Sequence, residues 1–359
     1  MPKGKGTMND SIQRYKKNNT KYLIIGIVFL CILWALLICM VSLGAMNISL
    51  VTTRDILFAK LTGNQQLLEG IKPNMVSVIW DIRLPRIICG ICVGMGLSIA
   101  GTIFQSLLQN PLADPYTLGV STGAAFGASL AIFMNIMFGI IVPIPLLAFI
   151  FAFITLVLVI IIASRGGGML ASNLIIAGII VSAILSSGIS FIKMIAGENV
   201  SAIVFWLMGS LSSRSWRDVM LVLPVVCIAG TAAFLFSNDL NVMTMGDKNA
   251  TTLGVNTKRL RLLYLILGSC ITAACVSVCG IIGFIGLIVP HMLRFWFTSD
   301  NRVLIPLSAL MGGTLLSIAD NGTRLFTTSE IPVGVLMTLI GGPFFLYIFV
   351  KRRKGGRDE

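Results

Sequence analysis

The sequence predicts an all-α polytopic membrane protein with about ten transmembrane helices, and three observations carry that expectation. First, 56% of the 359 residues are hydrophobic and only 11% are charged, against about 25% charged in a soluble domain. Second, the mean hydropathy is +0.94, and apolar runs near the ~20 residues that cross a bilayer recur along the chain between short polar loops. Third, no stretch alternates apolar and polar residues for the ~10 positions a membrane β-strand needs. The net charge of +13 sits in tails and loops, as the positive-inside rule requires. It reads as topology, and no nucleic-acid partner is expected.

Residues 1–21 are a polar N-terminal tail carrying Lys3, Lys5, Arg14, Lys16, Lys17 and Lys21. The apolar run from Tyr22 to Leu50 is about twice the ~7–15 residues of a signal-peptide core, so it is read as a first span entering from the cytoplasm. Residues 51–82, with Arg54, Lys60, Glu69 and Lys72, form a polar outer segment. Further spans are expected at 86–107, 115–135, 141–163, 172–194, 218–236, 262–279, 281–297, 303–319 and 331–350, giving one ten-helix domain over 22–350 and a basic C-terminal tail at 351–359. Ten crossings put both termini on the cytoplasmic side, where 18 of the 27 Lys and Arg residues then lie. The outer remainder, including Arg83, Arg86 and Arg324, needs its own explanation. Gly101 precedes Pro111 as Gly280 precedes Pro290, with an offset of 179 residues, a weak sign of the inverted repeats common in transport folds.

Gly280, Gly283 and Gly286 recur every three residues in an uncharged stretch that runs to Arg294. On one helix face they would admit a second backbone closely, the packing device favoured in lipid. Pro290 removes a backbone donor and bends or ends that helix.

Candidates for chemistry are few. The eight cysteines all lie in apolar runs. Cys89 and Cys92 have CxxC spacing but no second pair, so they read as small buried hydrophobes, and no metal site is expected. A single histidine, His291, cannot build a catalytic triad, and the chain has no GxxxxGK[ST] phosphate loop. No catalytic residue and no bound cofactor is expected, and any ATP hydrolysis belongs to another chain. The scarcity of acids within spans disfavours an ion-driven secondary transporter, whose relays need buried ionisable groups.

Three polar segments remain. Residues 237–261 form a cytoplasmic loop in which Gly246-Asp247 precede, and Gly254 follows, a short helical pattern, read as a surface feature or a docking site. Residues 109–119 contain Pro111 and Pro115 and read as a tight turn. Arg83 and Arg86 would project together at the outer membrane face, either snorkelling or meeting an acidic partner.

Taken in order, Asp81-Ile-Arg-Leu-Pro-Arg86, Gln105 with Gln109-Asn-Pro-Leu-Ala-Asp-Pro115, Leu118-Gly119, Trp206-Leu-Met-Gly-Ser-Leu211, the Gly246-Asp247 and Leu253-Gly254 loop, Gly280 to Arg294, and Glu330-Ile-Pro-Val-Gly334 resemble the FecCD family. These are permease subunits of ABC importers for iron–siderophores, haem and cobalamin, and the resemblance spans about 22–350. It implies a type II ABC importer permease fold in a bacterial plasma membrane, paired with a second copy or a paralogue around a central path. It also implies two ATPase subunits that hold ATP and Mg, and an extracytoplasmic substrate-binding protein. By the same resemblance Gly246, Asp247, Ala250, Leu253 and Gly254 couple to the ATPase, and Arg83, Arg86 and Arg324 receive acids of the binding protein. Asn110 and Leu112 match one cytoplasmic gate. Ala171-Ser172 fall where the cobalamin importer carries Thr-Ser, one hydroxyl fewer. An iron–siderophore is the expected cargo, with haem and cobalamin as alternatives.

Overall fold

Helix α4 (Leu84–Leu107) is the axis around which the chain is wrapped: 22 of its 24 residues are buried, all but Ile88 and Met95. A helix apolar on every side and stripped of lipid must be ringed by other helices, and α9, α12, α13 and α14 pack against it. The computed structural model describes residues 8–44, 46, 48–326 and 331–355, with no β-strand among them. Their helices are α1 (Met8–Ser42), α2 (Leu50–Thr62), α3 (Pro73–Ser77), α4, α5 (Val120–Met137), α6 (Ile144–Arg165), α7 (Ala171–Ala196), α8 (Val200–Leu207), α9 (Trp216–Leu235), α10 (Ser237–Met243), α11 (Asp247–Thr252), α12 (Thr257–Cys279), α13 (Ile285–Trp296), α14 (Asn301–Phe326) and α15 (Val333–Gly355). A π-helical turn at Val78–Arg83 joins α3 to α4, and a 3-10 turn at Gly197–Asn199 joins α7 to α8.

Eight of these helical stretches are long and apolar enough to cross a membrane, and two shorter apolar helices, Ile285–Trp296 and Val333–Leu346, stand at the eighth and tenth expected places. The all-α, roughly ten-helix architecture is therefore the one the composition predicts. Glu330, part of the last motif, lies outside the described residues.

Boundaries differ where propensity gave no signal. Helix α1 begins at Met8, inside the basic tail, and stops at Ser42. The expected outer loop at 51–82 is largely helical. Ser49 caps α2 by accepting the Thr52 N–H at 3.1 Å, and Gly63 ends it at φ 74°. Then α3 and the π turn extend the second span outward into one 35-residue rod, Pro73–Leu107. Only Thr53, Ile56 and Ala59 of α2 are buried, too few to show as an apolar stripe in sequence. The third span starts at Val120, not 115.

The glycine seam is also corrected. Gly280 has φ 72° and ψ −163°, residues 280–284 are not helical, and Phe284 has φ 68°. The three glycines therefore share no helix face. Each fits a separate crossing: a methyl on Gly280 would strike the Trp206 carbonyl, and one on Gly286 would lie 2.6 Å from Pro115 Cδ and 2.7 Å from the Leu97 carbonyl. Gly283 has Thr338 as its neighbour. Pro290 does not end α13, which runs on to Trp296. It does leave the Gly286 carbonyl without its i+4 donor, and that carbonyl is the one seated against Gly101 of α4.

Gly94 likewise sits against the Gly312 carbonyl of α14. Contacts this close leave no room for a side chain. Gly101→Ala is expected to cost about 1–3 kcal/mol or more, read as a lowered thermal midpoint in detergent. Gly26→Ala, where the nearest atom is Leu307 Cδ2 at an ordinary 3.8 Å, should leave the midpoint unchanged or raised.

Candidate coupling loop, gate and docking residues

At one end of the bundle α9 gives way to the 237–261 segment. Helix α10 ends at Met243, Gly246 turns the chain at φ 97°, α11 spans six residues, and Gly254 turns it again at φ 84°. These left-handed turns are conformations glycine adopts without penalty. The short helix expected from the sequence is present. Ala250 is fully buried and anchors α11, while Leu253 is 63% exposed and projects outward. Asp247 Oδ1 accepts from Arg261 Nη2 at 2.6 Å, tying α11 to α12. The exposed leucine and the buried alanine give the segment a fixed base and a free apolar tip.

A polar chain fixes that base. Asn241 of α10 donates to Asp300 at 2.7 Å and accepts from the backbone and side-chain N–H groups of Asn301, both at 2.8 Å. Asn301 Oδ1 accepts from Ser106 Oγ of α4 at 2.8 Å, and Ser106 Oγ accepts from Arg294 Nη2 of α13 at 2.7 Å. Four helices are joined by Asn241, Ser106, Arg294 and Asn301, side chains to which no sequence motif assigned a role. The readable signal was Thr298-Ser299-Asp300-Asn301 before an apolar run, a helix-start pattern.

Burial alone would raise the Asp300 pKa, but hydrogen bonds from Arg302 and Asn241 outweigh it and hold the carboxyl below its usual range. A depressed native pKa contributes stability above the unfolded value of ~3.9 that is lost as the pH falls through the native one. Asp300→Asn should therefore lower the thermal midpoint at pH 6, and the gap to the unsubstituted chain should close below about pH 4.

The 109–119 turn is more than a tight loop. Gln109 has φ 50°, its N–H bonds to the Ser106 carbonyl, and the Asn110 N–H bonds to the Gln105 carbonyl, the paired closure of a helix end by a left-handed residue. Asn110 Oδ1 accepts the Leu112 N–H at 2.9 Å, and Leu112 is exposed. The chain then dives inward. Ala113 and Leu118 are buried, Pro115 reaches Gly286, and Tyr116 Oη donates to the Ile282 carbonyl at 2.6 Å. Ala171 and Ser172 open α7. Ala171 shares a cavity of about 360 Å³ with Leu170, Gln109, Gly246, Asp247 and Arg261. The structure thus brings Ala171, one of the four residues expected at the gate, beside the 237–261 segment, whereas Asn110, Leu112 and Ser172 do not line that cavity.

The opposite end corrects the placing of two arginines. Arg83 is buried and donates to the carbonyls of Val41 at 3.0 Å, Ser42 at 2.9 Å and Met46 at 2.5 Å, closing the open end of α1. Arg86 grips Asp320 of α14 through Nε and Nη2, both at 2.9 Å, with both side chains buried. Neither projects at the membrane face. The helical rod runs on past Arg83 through the π turn to Pro73, and both guanidinium groups are buried, one against the end of α1 and one against α14. Arg324 alone of the three keeps partial exposure. Removing one partner of a buried pair strands the other charge. Arg86→Met should cost about 3–5 kcal/mol, and adding Asp320→Leu should recover most of the lost thermal midpoint.

A model of the FecCD transport family matches residues 23–351. The chain belongs to that family. An uncharacterized ABC transporter permease protein, YvrB of Bacillus subtilis (strain 168), is 36% identical over 98% of this chain and 100% of its own length. The cobalamin import system permease protein BtuC of Halobacterium salinarum is 40% identical over 79% of this chain and 76% of its own. A solved structure, classed as a metal-chelate type ABC transporter in an inward-facing conformation, superposes with a TM-score of 0.79 at 30% identity, covering 91% of this chain and 99% of that one. This FecCD chain is thus a permease subunit of an ABC importer, embedded in a membrane.

Proposed function

We propose that this chain, paired with a second copy or a close relative, forms the path for an iron–siderophore complex across a bacterial plasma membrane. Both termini lie in the cytoplasm, and two separate ATPase subunits hold ATP and Mg and drive the path. The observation that carries this reading is the 237–261 segment: a short helix with a buried base at Ala250, a basic partner at Arg261 and an exposed tip at Leu253. Such a knob fits a cleft on another protein, and Gly246, Asp247, Ala250, Leu253 and Gly254 are its coupling residues. Asn110, Leu112, Ala171 and Ser172 gate the cytoplasmic end. Arg324 offers positive charge to an acidic face of an extracytoplasmic binding protein, where complementary charge steers docking.

Family relatives are named for ferric dicitrate in Escherichia coli, hemin in Yersinia pestis, cobalamin in Halobacterium salinarum and molybdate in Haemophilus influenzae. Iron chelates recur among them. A cavity of about 530 Å³, lined by Met208, Ile281, Phe284, Val335 and Leu339 with Asp114 and Thr338, carries few charges, as suits the passage of a large metal chelate. Cobalamin is the second reading, favoured by the 40% identity to the Halobacterium permease.

Gentle purification of the tagged chain should recover an ATPase and a binding protein. Vesicles holding that complex should take up a radiolabelled ferric hydroxamate only with internal ATP. Leu253→Arg should cut that uptake by about tenfold or more, ~1.4 kcal/mol of lost coupling, while membrane insertion stays normal. Uptake that ignores ATP, or purification with no ATPase, would overturn the importer reading. Uptake of cyanocobalamin in place of the ferric complex would move the cargo to the second reading.

A further inference from the structure

The turn after α4 places a glutamine where helix ends favour glycine. Gln109 is the left-handed residue of the closure, with φ 50°, a conformation that strains most residues with a Cβ, asparagine least, and suits glycine best. Helix α2 ends in the usual way, at Gly63. At Gln109 the side chain is used. Its Nε2 donates at 2.9 Å to the carbonyl of Met243, 134 residues away and the last residue of α10. The same carbonyl accepts the Gly246 N–H at 3.1 Å, the bond that turns the chain into α11. The glutamine is therefore fastened at the hinge between the two short helices of the 237–261 segment. The next residue along the chain is Asn110, whose side chain sets the turn at Leu112. One bond length separates the fastened residue from the gate.

We propose that Gln109 is the positioning residue that ties the gate turn to the α10–α11 hinge, so that a displacement of the coupling loop carries Asn110 and Leu112 with it. This rests on the reading of 237–261 as the coupling loop. The backbone strain at Gln109 persists because glycine, easier on the backbone, would sever the link.

The test is hydrogen exchange, read by mass spectrometry, on the whole transporter with its ATPase in nanodiscs, with and without ATP plus orthovanadate. In the unsubstituted complex trapped nucleotide should change exchange at both 237–261 and 110–119. Gln109→Gly should keep or raise the thermal midpoint and keep the response at 237–261, yet shrink the response at 110–119 by roughly fivefold or more, the lower end of typical coupling between sites. Gln109→Asn, also at ease in the left-handed region but one methylene shorter, should behave alike if the glycine variant proves unstable. Gln109→Lys, which still donates and reaches farther, should restore much of the response; a purely steric role for the turn would not be rescued by a donor. A full response at 110–119 in both the glycine and asparagine variants overturns the proposal. If 237–261 does not respond to nucleotide even in the unsubstituted complex, the coupling-loop reading itself falls, and the proposal with it.

Discussion

Inside a bilayer, backbone that leaves helical geometry has no water to bond, so each break must be closed by the chain itself. Two hydrogen bonds here run from one break to another, and a third caps the end of α12 between them. The Ser210 N–H bonds to the Cys279 carbonyl at 2.8 Å, the Gly334 N–H to the Gly209 carbonyl at 3.1 Å, and the Gly280 N–H to the Val276 carbonyl at 2.8 Å. Tyr116 Oη caps Ile282 from the turn after α4. Gly209, Gly280 and Gly334 stand where these strands of irregular chain meet, each pressed against a foreign carbonyl. The knot fixes where α8 ends and where α13 and α15 begin, and the 530 Å³ cavity opens beside it. Pull the 209–210 break out and the Cys279 carbonyl loses its donor while the Gly334 N–H loses its acceptor.

Polar residues do complementary work at the two ends of the axis. Near the outset of α4, Arg83 and Arg86 are consumed internally, one by three carbonyls of the α1 end and one by Asp320. At its far end, Ser106 joins a chain through Asn301 to Asn241, which belongs to the exposed segment. Buried polar groups stay only where their partners are present, and here those partners lie on different helices. The same rule that makes a charge costly in lipid makes it a pin between helices. The α4 axis is pinned at both ends, so its register against α14 is fixed in length as well as by the glycine contacts between.

How legible this was in the sequence depended on whether a feature is set locally. Class, the ten apolar segments, and the short helix between Gly246 and Gly254 follow from composition, length and turn residues, and they stand in the structure. The family was legible because its motifs occur in order across most of the chain. The Gly280 seam failed because period-three spacing implies one face only if the stretch is helical. What unwinds it is Gly280 at φ 72° and Phe284 at φ 68°, and a phenylalanine in that region has no sequence signature. The arginines misled for a related reason. Their burial depends on the helix continuing past Arg83 to Pro73, and the polar residues Asn74, Ser77, Asp81 and Arg83 among residues 73–83 read as loop. The inward dive of 109–119 is fixed by Gly286 and Ile282, far away in sequence.

These contacts also limit how the molecule can move. Where a glycine sits on a neighbour's carbonyl, as Gly94 on Gly312 and Gly101 on Gly286 do, the helices cannot slide without collision, since close-packed interiors transmit displacement instead of absorbing it. The α4, α13 and α14 group therefore moves as one body. Outside that group the chain leaves α-helical geometry at, among other places, the 3-10 turn at Gly197–Asn199, the α10–α11 hinge, and the 108–119 turn. Two of these three lie at the same end of the bundle and share the 360 Å³ cavity. Domain motions concentrate at a few residues that absorb the dihedral change between rigid bodies. In this chain the α10–α11 hinge and the 108–119 turn are the two that border α4 and α14, and the side chain that crosses from one to the other decides whether they move together or apart.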